Sequence, residues 1–261
     1  MKLFDLNGKV AIVTGGYGHL GSAITQALLE YNSTVIVAGR SEEKFKAAFD
    51  TLANKKLHFR HINILDSDSV KQCIEGIKND FGSVDILINN AHSAQGQDPE
   101  KMTDAEWSHT MEGVLGSIQR CIRTVIPIMK KQESGKIINI SSMYGVVSPD
   151  PILYEGDNCE QYRNPPHYGA AKAGVIQLTK YYANWLGRNN IQVNTITPGP
   201  FPKKEIQEKN PSFIERLKEK TALKKIGKQE DMKGVSILLS SNASDFITGQ
   251  NFIVDGGWTS K

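Results

Sequence analysis

Val10-Ala11-Ile12-Val13-Thr14-Gly15-Gly16-Tyr17-Gly18-His19-Leu20-Gly21 is the stretch whose reading decides the fold. Five apolar or β-branched residues run into a glycine-rich turn, and an amphipathic helical pattern follows it. Strand, glycine turn and helix together make an anion site. Backbone N–H groups at the helix start face a pyrophosphate, and the helix dipole favours negative charge there. Gly15 permits the tight turn; Gly18 and Gly21 allow phosphate, strand and helix to approach closely. An ordinary strand-to-helix turn would show the same glycines. Position after the first strand, at the head of a helix, favours a nucleotide.

Further apolar, β-branched runs follow at Thr34–Ala38, Leu57–Ile62, Val84–Asn89, Lys136–Ile140, Gln192–Ile196 and Asn251–Val254. Such near-continuous apolar runs suit strands covered on both faces. Between them lie helical patterns, such as the stripe Val70, Ile74, Ile77 and Phe81. The alternation predicts a Rossmann-type α/β fold: a doubly wound parallel sheet of about seven strands with helices on both faces. No repeat or linker divides the chain, so residues 1–261 read as one domain. A proline-rich stretch at 148–166 breaks the rhythm and reads as a long inserted loop. A second loop, at 199–220, follows the sixth strand.

The net charge of +3 comes from acidic and basic residues mixed along the chain. That gives no argument for nucleic acid or a membrane surface as partner. Cys73, Cys121 and Cys159 are far apart and lack metal-ligand spacing, so no metal site is expected. Free thiols, no apolar leader and no bilayer-length apolar run lead to the expectation of a soluble cytoplasmic protein.

Tyr168 and Lys172 are four residues apart and share one face if a helix opens there. An ammonium beside a phenol stabilises the phenolate, which would bring the tyrosine towards the range for acid–base catalysis. Ser142, in Ile140-Ser141-Ser142-Met143-Tyr144-Gly145, ends a strand on the side where open α/β sheets bind ligands. Its hydroxyl can hydrogen-bond a substrate oxygen as charge develops. The second strand ends in Val37-Ala38-Gly39-Arg40-Ser41, with no carboxylate for ribose hydroxyls. Arg40 can pair with a 2′-phosphate, which predicts NADP(H) over NAD(H); the plainer alternative is a surface arginine at a helix start.

These segments together resemble the short-chain dehydrogenase/reductase family, in its compact single-domain branch. The similarity runs from Gly8 to Trp258. It includes Asn89-Asn90-Ala91, Pro198-Gly199, Thr248-Gly249-Gln250 and Asp255-Gly256-Gly257. The resemblance implies that Tyr168 is the general acid in reduction and the base in oxidation. Lys172 would tune it and hold the nicotinamide ribose, and Ser142 would orient the carbonyl. The cofactor would lie along Gly15, Tyr17, Gly18, His19, Leu20 and Gly21 of the turn. Arg40, Asn63, Ile64, Asn90 and Ala91 would continue its bed, closed by Pro198, Gly199 and Phe201. Asn63 stands where the family has an aspartate near the adenine; its side-chain carbonyl could still accept from the amino group. A homotetramer or homodimer is also implied.

Four departures qualify the resemblance. His19 and His92 replace two family glycines, either packing there or touching a phosphate. The family's catalytic asparagine falls at Val114, which has no polar atom to support a water chain to the lysine. Ser142 and Tyr168 are separated by the inserted loop, which must be looped out and would sit over the substrate pocket, offering Tyr154, Glu155, Tyr162 and Arg163 as contacts. Lys203, Lys204 and Lys209 in the second loop could meet an anionic substrate. The form of the insertion resembles oxidoreductases of bacterial surface-glycan and flagellin-modification pathways. The expected activity is hydride transfer between NADP(H) and the carbonyl or alcohol of a small polar, sugar-like substrate. A 3-oxoacyl or other lipid-like carbonyl is the second reading, and an NADP(H)-binding regulator with weak turnover the third.

Overall fold

The computed structural model describes residues 3–52, 54–96, 98–156, 159 and 162–260, so residues 157, 158, 160 and 161 of the inserted loop lie outside it. Seven strands form one parallel sheet: β1 (Val10–Thr14), β2 (Thr34–Gly39), β3 (Leu57–His61), β4 (Ile86–Asn89), β5 (Gly135–Ile140), β6 (Ile191–Pro198) and β7 (Asn251–Val254). Their order is β3-β2-β1-β4-β5-β6-β7, every neighbouring pair parallel. The helices are α1 (His19–Glu30), α2 (Glu42–Ala48), α3 (Ser67–Phe81), α4 (Asp104–Met111), α5 (Ser117–Gln132), α6 (Pro166–Gly187), α7 (Lys204–Lys209), α8 (Pro211–Lys220) and α9 (Lys233–Ser240). This is the Rossmann-type, doubly wound sheet that the run pattern predicts.

Side-chain alternation along each strand explains why the runs are apolar throughout. Ile12, Ile36, Leu87, Ile137 and Val193 face one layer, with Val70, Ile74, Ile122 and Val175 of α3, α5 and α6. Ala11, Val13, Val35, Ile88 and Ile138 face the other, with Ile24, Leu28, Ile237 and Leu239 of α1 and α9. Both faces exclude water, so neither can be polar. The chain winds outward from β1 to β3 and then returns to β4. A crevice therefore opens between the C-terminal ends of β1 and β4, the switch point where such sheets bind ligands.

A buried hydrogen-bond ladder seats α6 against that end of the sheet. Asn89 Nδ2 donates to Asn139 Oδ1 (2.8 Å), and Asn139 Nδ2 donates to Thr179 Oγ1 (2.9 Å). The Thr195 hydroxyl donates to the same Thr179 oxygen (2.7 Å). Buried amides without such partners would each cost on the order of 1–3 kcal/mol, so the ladder fixes where α6 can sit.

Between α4 and α5 lies a single π-helical turn, Glu112–Gly116. The Gly113 carbonyl accepts from Ser93 N (3.1 Å) and from the Ser117 hydroxyl (2.9 Å). Turns of this kind concentrate at functional sites.

The inserted loop docks on α8. Met143, Tyr144, Leu153, Tyr154 and Cys159 form an apolar cluster with Phe213, Ile214 and Leu217. The rings of Tyr154 and Tyr162 lie 5.4 and 5.8 Å from that of Phe213. Lys220 Nζ donates to Asp150 (2.8 Å), Arg216 Nε to the Leu153 carbonyl (3.0 Å), and the Tyr162 hydroxyl to Asn210 (3.1 Å). The Tyr144 and Tyr154 hydroxyls touch one another.

Cys73, Cys121 and Cys159 are buried, and none forms a disulfide among the described residues. Burial pushes the Cys73 and Cys121 thiols up to about 12, which keeps them from reacting. Among the described residues no helix is long and apolar enough to cross a membrane, and no cluster of His, Cys, Asp and Glu is placed to hold a metal.

Phe213 is 4% exposed and central to the loop's docking. Phe213→Ala is expected to remove about 3–5 kcal/mol from the local opening free energy. Hydrogen exchange should quicken in residues 148–156 and α8 while the amides of β1, β4 and β5 keep their protection.

Candidate active site

A cavity of about 640 Å³ opens at the switch point and runs from Arg40 to Lys203. Most of the residues expected to hold the cofactor or to react lie on it. Gly15, Tyr17, Gly18, His19 and Leu20 line it, as do Arg40, Asn63, Ile64, Asn90 and Ala91. Ser142, Tyr168, Lys172, Pro198, Gly199 and Phe201 complete the set. Gly21 stands just behind the turn.

The phosphate end is built by close backbone approach. Gly15 has φ +62°, and a Cβ on it would lie 3.2 Å from Ala91 and from the Asn90 amide. A Cβ on Gly21 would stand 2.4 Å from the Gly15 carbonyl oxygen. Asn90 ties the turn to β4: its Nδ2 donates to the carbonyls of Thr14 (3.0 Å) and Gly15 (3.1 Å). The Thr14 hydroxyl oxygen accepts from the backbone N–H groups of Asn90 and Ala91, both at 3.0 Å. The result is a bare backbone cradle at the start of α1, of the kind that a pyrophosphate fills. A dinucleotide therefore fits the residues present.

At the ribose end the Tyr17 hydroxyl accepts from Arg40 N (3.2 Å) and Ser41 N (3.3 Å), and its ring packs on Gly39. The Arg40 side chain is exposed at the rim. Asn63 holds its own loop through Oδ1, which accepts from Leu65 N (3.2 Å). That carbonyl is thus engaged locally, although it keeps a second lone pair.

The reacting end brings Ser142, Tyr168 and Lys172 together across the insertion. Ser142 follows β5 and stands with the Tyr168 phenol on the cavity wall. Tyr168 lies in the first turn of α6, and Lys172 follows one turn later, as the spacing predicts. Lys172 is 3% exposed, and its Nζ donates to the Ile140 carbonyl (2.8 Å). Its ammonium stands 5.7 Å from the centre of the Tyr168 ring.

The electrostatics correct one expectation. Burial raises the Tyr168 phenol above its ordinary value, opposed by the hydrogen bond from Ser142. Lys172 does not overcome this, because burial draws the lysine itself down to about 7. In the protein alone the tyrosine is therefore a protonated acid, ready to donate rather than to accept.

The two histidines have different situations. His19 is fully engaged. The Phe201 carbonyl can only accept, so His19 Nε2 carries the proton and donates to it (2.9 Å), while Nδ1 accepts from the Gln229 amide (2.6 Å). His92 lines the cavity with its ring centre 6.1 Å from that of Tyr168. Desolvation deep in the cleft, and then the neighbouring Lys172 charge, draw it down to about 4, so it is neutral at pH 7.

Other expectations change. Tyr154 and Tyr162 face Phe213, Arg163 pairs with Asp98 (2.7 Å), and none of these or Glu155 lines the cavity. The insertion reaches the cavity through Asn164, which no motif marks. Ser93 was also missed; it lines the cavity and shares a 2.9 Å hydrogen bond with His109. Val114 is fully buried in the π turn. Of the loop lysines, Lys203 faces the cavity, whereas Lys204 and Lys209 pair with Glu208 and Glu205.

Two expectations follow. Gly21→Ala should weaken dinucleotide binding at least tenfold, read by fluorescence titration, because backbone must move to admit the methyl. Bound phosphates and ribose hydroxyls favour the ammonium form of Lys172, so binding above pH 7 takes up a proton. Affinity should therefore fall as pH rises from about 7. Calorimetry in buffers of different ionisation heat should show that proton uptake, and Lys172→Met should abolish it.

Comparison with known proteins agrees with this geometry. The family described as enoyl-(acyl carrier protein) reductase matches residues 18–259. A 3-oxoacyl-(acyl-carrier-protein) reductase of Thermotoga maritima is 32% identical over 265 residues, covering 97% of this chain and 98% of that protein. A gluconate 5-dehydrogenase of Burkholderia cenocepacia, solved with NADP and tartrate, superposes with TM-score 0.87 at 26% identity, covering 99% of this chain and 98% of that one. The NADPH-dependent 3-quinuclidinone reductase of Rhodotorula rubra gives 0.86 at 28%, covering 99% and 94%. On these matches, spanning glycine turn to C-terminal segment, the chain belongs to the short-chain dehydrogenase/reductase family.

Proposed function

We propose that the protein is an NADP(H)-dependent oxidoreductase acting between the carbonyl and alcohol forms of a small polar substrate. The observation that carries this reading is the meeting of Ser142, Tyr168 and Lys172 at one end of a cavity whose other end is a phosphate cradle bounded by Arg40. NADPH, when bound, supplies the hydride. The Tyr168 phenol gives its proton to the substrate oxygen as negative charge develops there. The Ser142 hydroxyl donates to the same oxygen and holds the carbonyl against the phenol. Lys172, seated on the Ile140 carbonyl, stabilises the phenolate left behind.

Arg40 supports NADP(H), as do the cofactors of the two structural relatives. The substrate end supports a small polar molecule. His92, Ser93, Ser142 and Asn164 border it, and no Asp or Glu does among the described residues. A sugar-like or sugar-acid carbonyl fits that lining. The identity with 3-oxoacyl reductases favours a second reading, an acyl thioester. Against it, the insertion's apolar side chains Leu153, Tyr154 and Cys159 pack on α8 and do not line the cavity.

Initial rates of NADPH oxidation with keto-sugars, keto acids and acetoacetyl thioesters decide between them. Turnover of the polar compounds is expected, with Tyr168→Phe slowing it about 10²–10⁴-fold. Turnover confined to thioesters would replace the substrate assignment. Turnover of neither class, with NADPH bound, would favour a binding protein. Arg40→Ala should weaken NADPH about tenfold and leave NADH unchanged, a difference of about 1.4 kcal/mol.

A further inference from the structure

The replacement of a family glycine by His19 changes what the cavity's far wall is attached to. Through its ring the start of α1 is bonded to Phe201 and Gln229. The segment following β6 is pinned at several further points. Gly199 N donates to the Val254 carbonyl (2.9 Å), and Gly227 N donates to the Pro200 carbonyl (2.9 Å). The Phe201 ring packs on Gly227, and the Gln207 amide donates to the Pro202 carbonyl (2.8 Å). Residues 199–203 are thus held against the cradle itself.

This places Lys203 two residues beyond the anchored Phe201 and on the cavity wall. Among the described residues its side chain forms no ion pair, although its charge acts on nearby Glu205, whereas its neighbours Lys204 and Lys209 are paired. Lys203 shares the cavity wall with Gly18 and His19 of the cradle, and the His19–Phe201 hydrogen bond holds its segment beside the start of α1. A dinucleotide spanning the cavity has its two negative phosphates at that helix start. The cradle offers them N–H groups and a helix dipole, but no formal charge of its own.

Resting on the cofactor assignment above, we propose that Lys203 binds the dinucleotide pyrophosphate, and that His19 is a positioning residue which holds the Lys203 segment over it. The lysine supplies charge from above the cradle, and the histidine keeps it there before the cofactor arrives. Less ordering is then left for the binding step.

Fluorescence titration of the full chain with NADPH, NADH and 2′-AMP tests this. The last carries the 2′-phosphate but no phosphate at the 5′ position. Lys203→Met is expected to weaken NADPH and NADH by the same factor, about tenfold. It should leave 2′-AMP unchanged and reduce the salt dependence of NADPH binding. Lys203→Arg should restore affinity. His19→Gly should weaken NADPH severalfold in the native background and have no further effect in Lys203→Met, because it acts through the lysine. His19→Gln, which can still donate to the Phe201 carbonyl, should retain most of the affinity.

Unchanged NADPH affinity in Lys203→Met, with a raised substrate KM, would move the lysine to the substrate and overturn the proposal. Additive losses in the double variant would overturn the role given to His19. Absence of any NADPH binding by the native chain would overturn the cofactor assignment itself, an outcome distinct from both.

Discussion

The knot between Thr14 and Asn90 is the contact on which the rest of the site depends. Two strands adjacent in the sheet diverge at their ends, and ligands enter between them. Without a cross-tie the glycine turn after β1 and the loop after β4 would move independently. The Thr14 hydroxyl receives two backbone N–H groups from the β4 side, and the Asn90 amide returns two hydrogen bonds to the β1 side. All four lie at one point, where polar groups left unpaired would be costly. The crevice therefore has a defined width before any ligand is present, and a cradle for phosphates needs a defined width.

Much of this was legible in the sequence because it depends on local rules. Apolar runs became strands where predicted, and Val70, Ile74 and Ile77 face the core as helical spacing requires. The glycine turn and the Tyr168–Lys172 spacing gave two ends of one cavity, since each is set by the geometry of a single turn of backbone. The strength of Arg40 as a signal was of the same kind, a charge at a known strand end.

What could not be read depends on partners distant in sequence. The insertion was expected over the substrate because it separates Ser142 from Tyr168. It instead found apolar neighbours in Phe213, Ile214 and Leu217, more than forty residues on, as their numbering shows. Hydrophobic burial chose the docking site, and nothing in residues 148–166 alone names α8. The lowering of the tyrosine by the lysine assumed a charged lysine in water-like surroundings. In the fold both groups are buried, and desolvation outweighs their attraction. Asn164 and Ser93 were missed for a third reason: a lone polar residue in a loop has no periodicity to betray its direction.

The π-helical turn at Glu112–Gly116 has a consequence for how this segment can vary. A π turn holds one residue more than an α turn, so it offsets the angular phase of α5 relative to α4 by about 100°. The apolar stripe of α5, with Ile118, Cys121, Ile122 and Val125, meets the sheet only with that offset. The freed Gly113 carbonyl is satisfied by Ser93 and Ser117, neither of which involves the side chain at 114. The residue count of this turn is therefore constrained, and Val114 within it is fully buried in the core. A single-residue deletion here would rotate a whole helix out of register with the core.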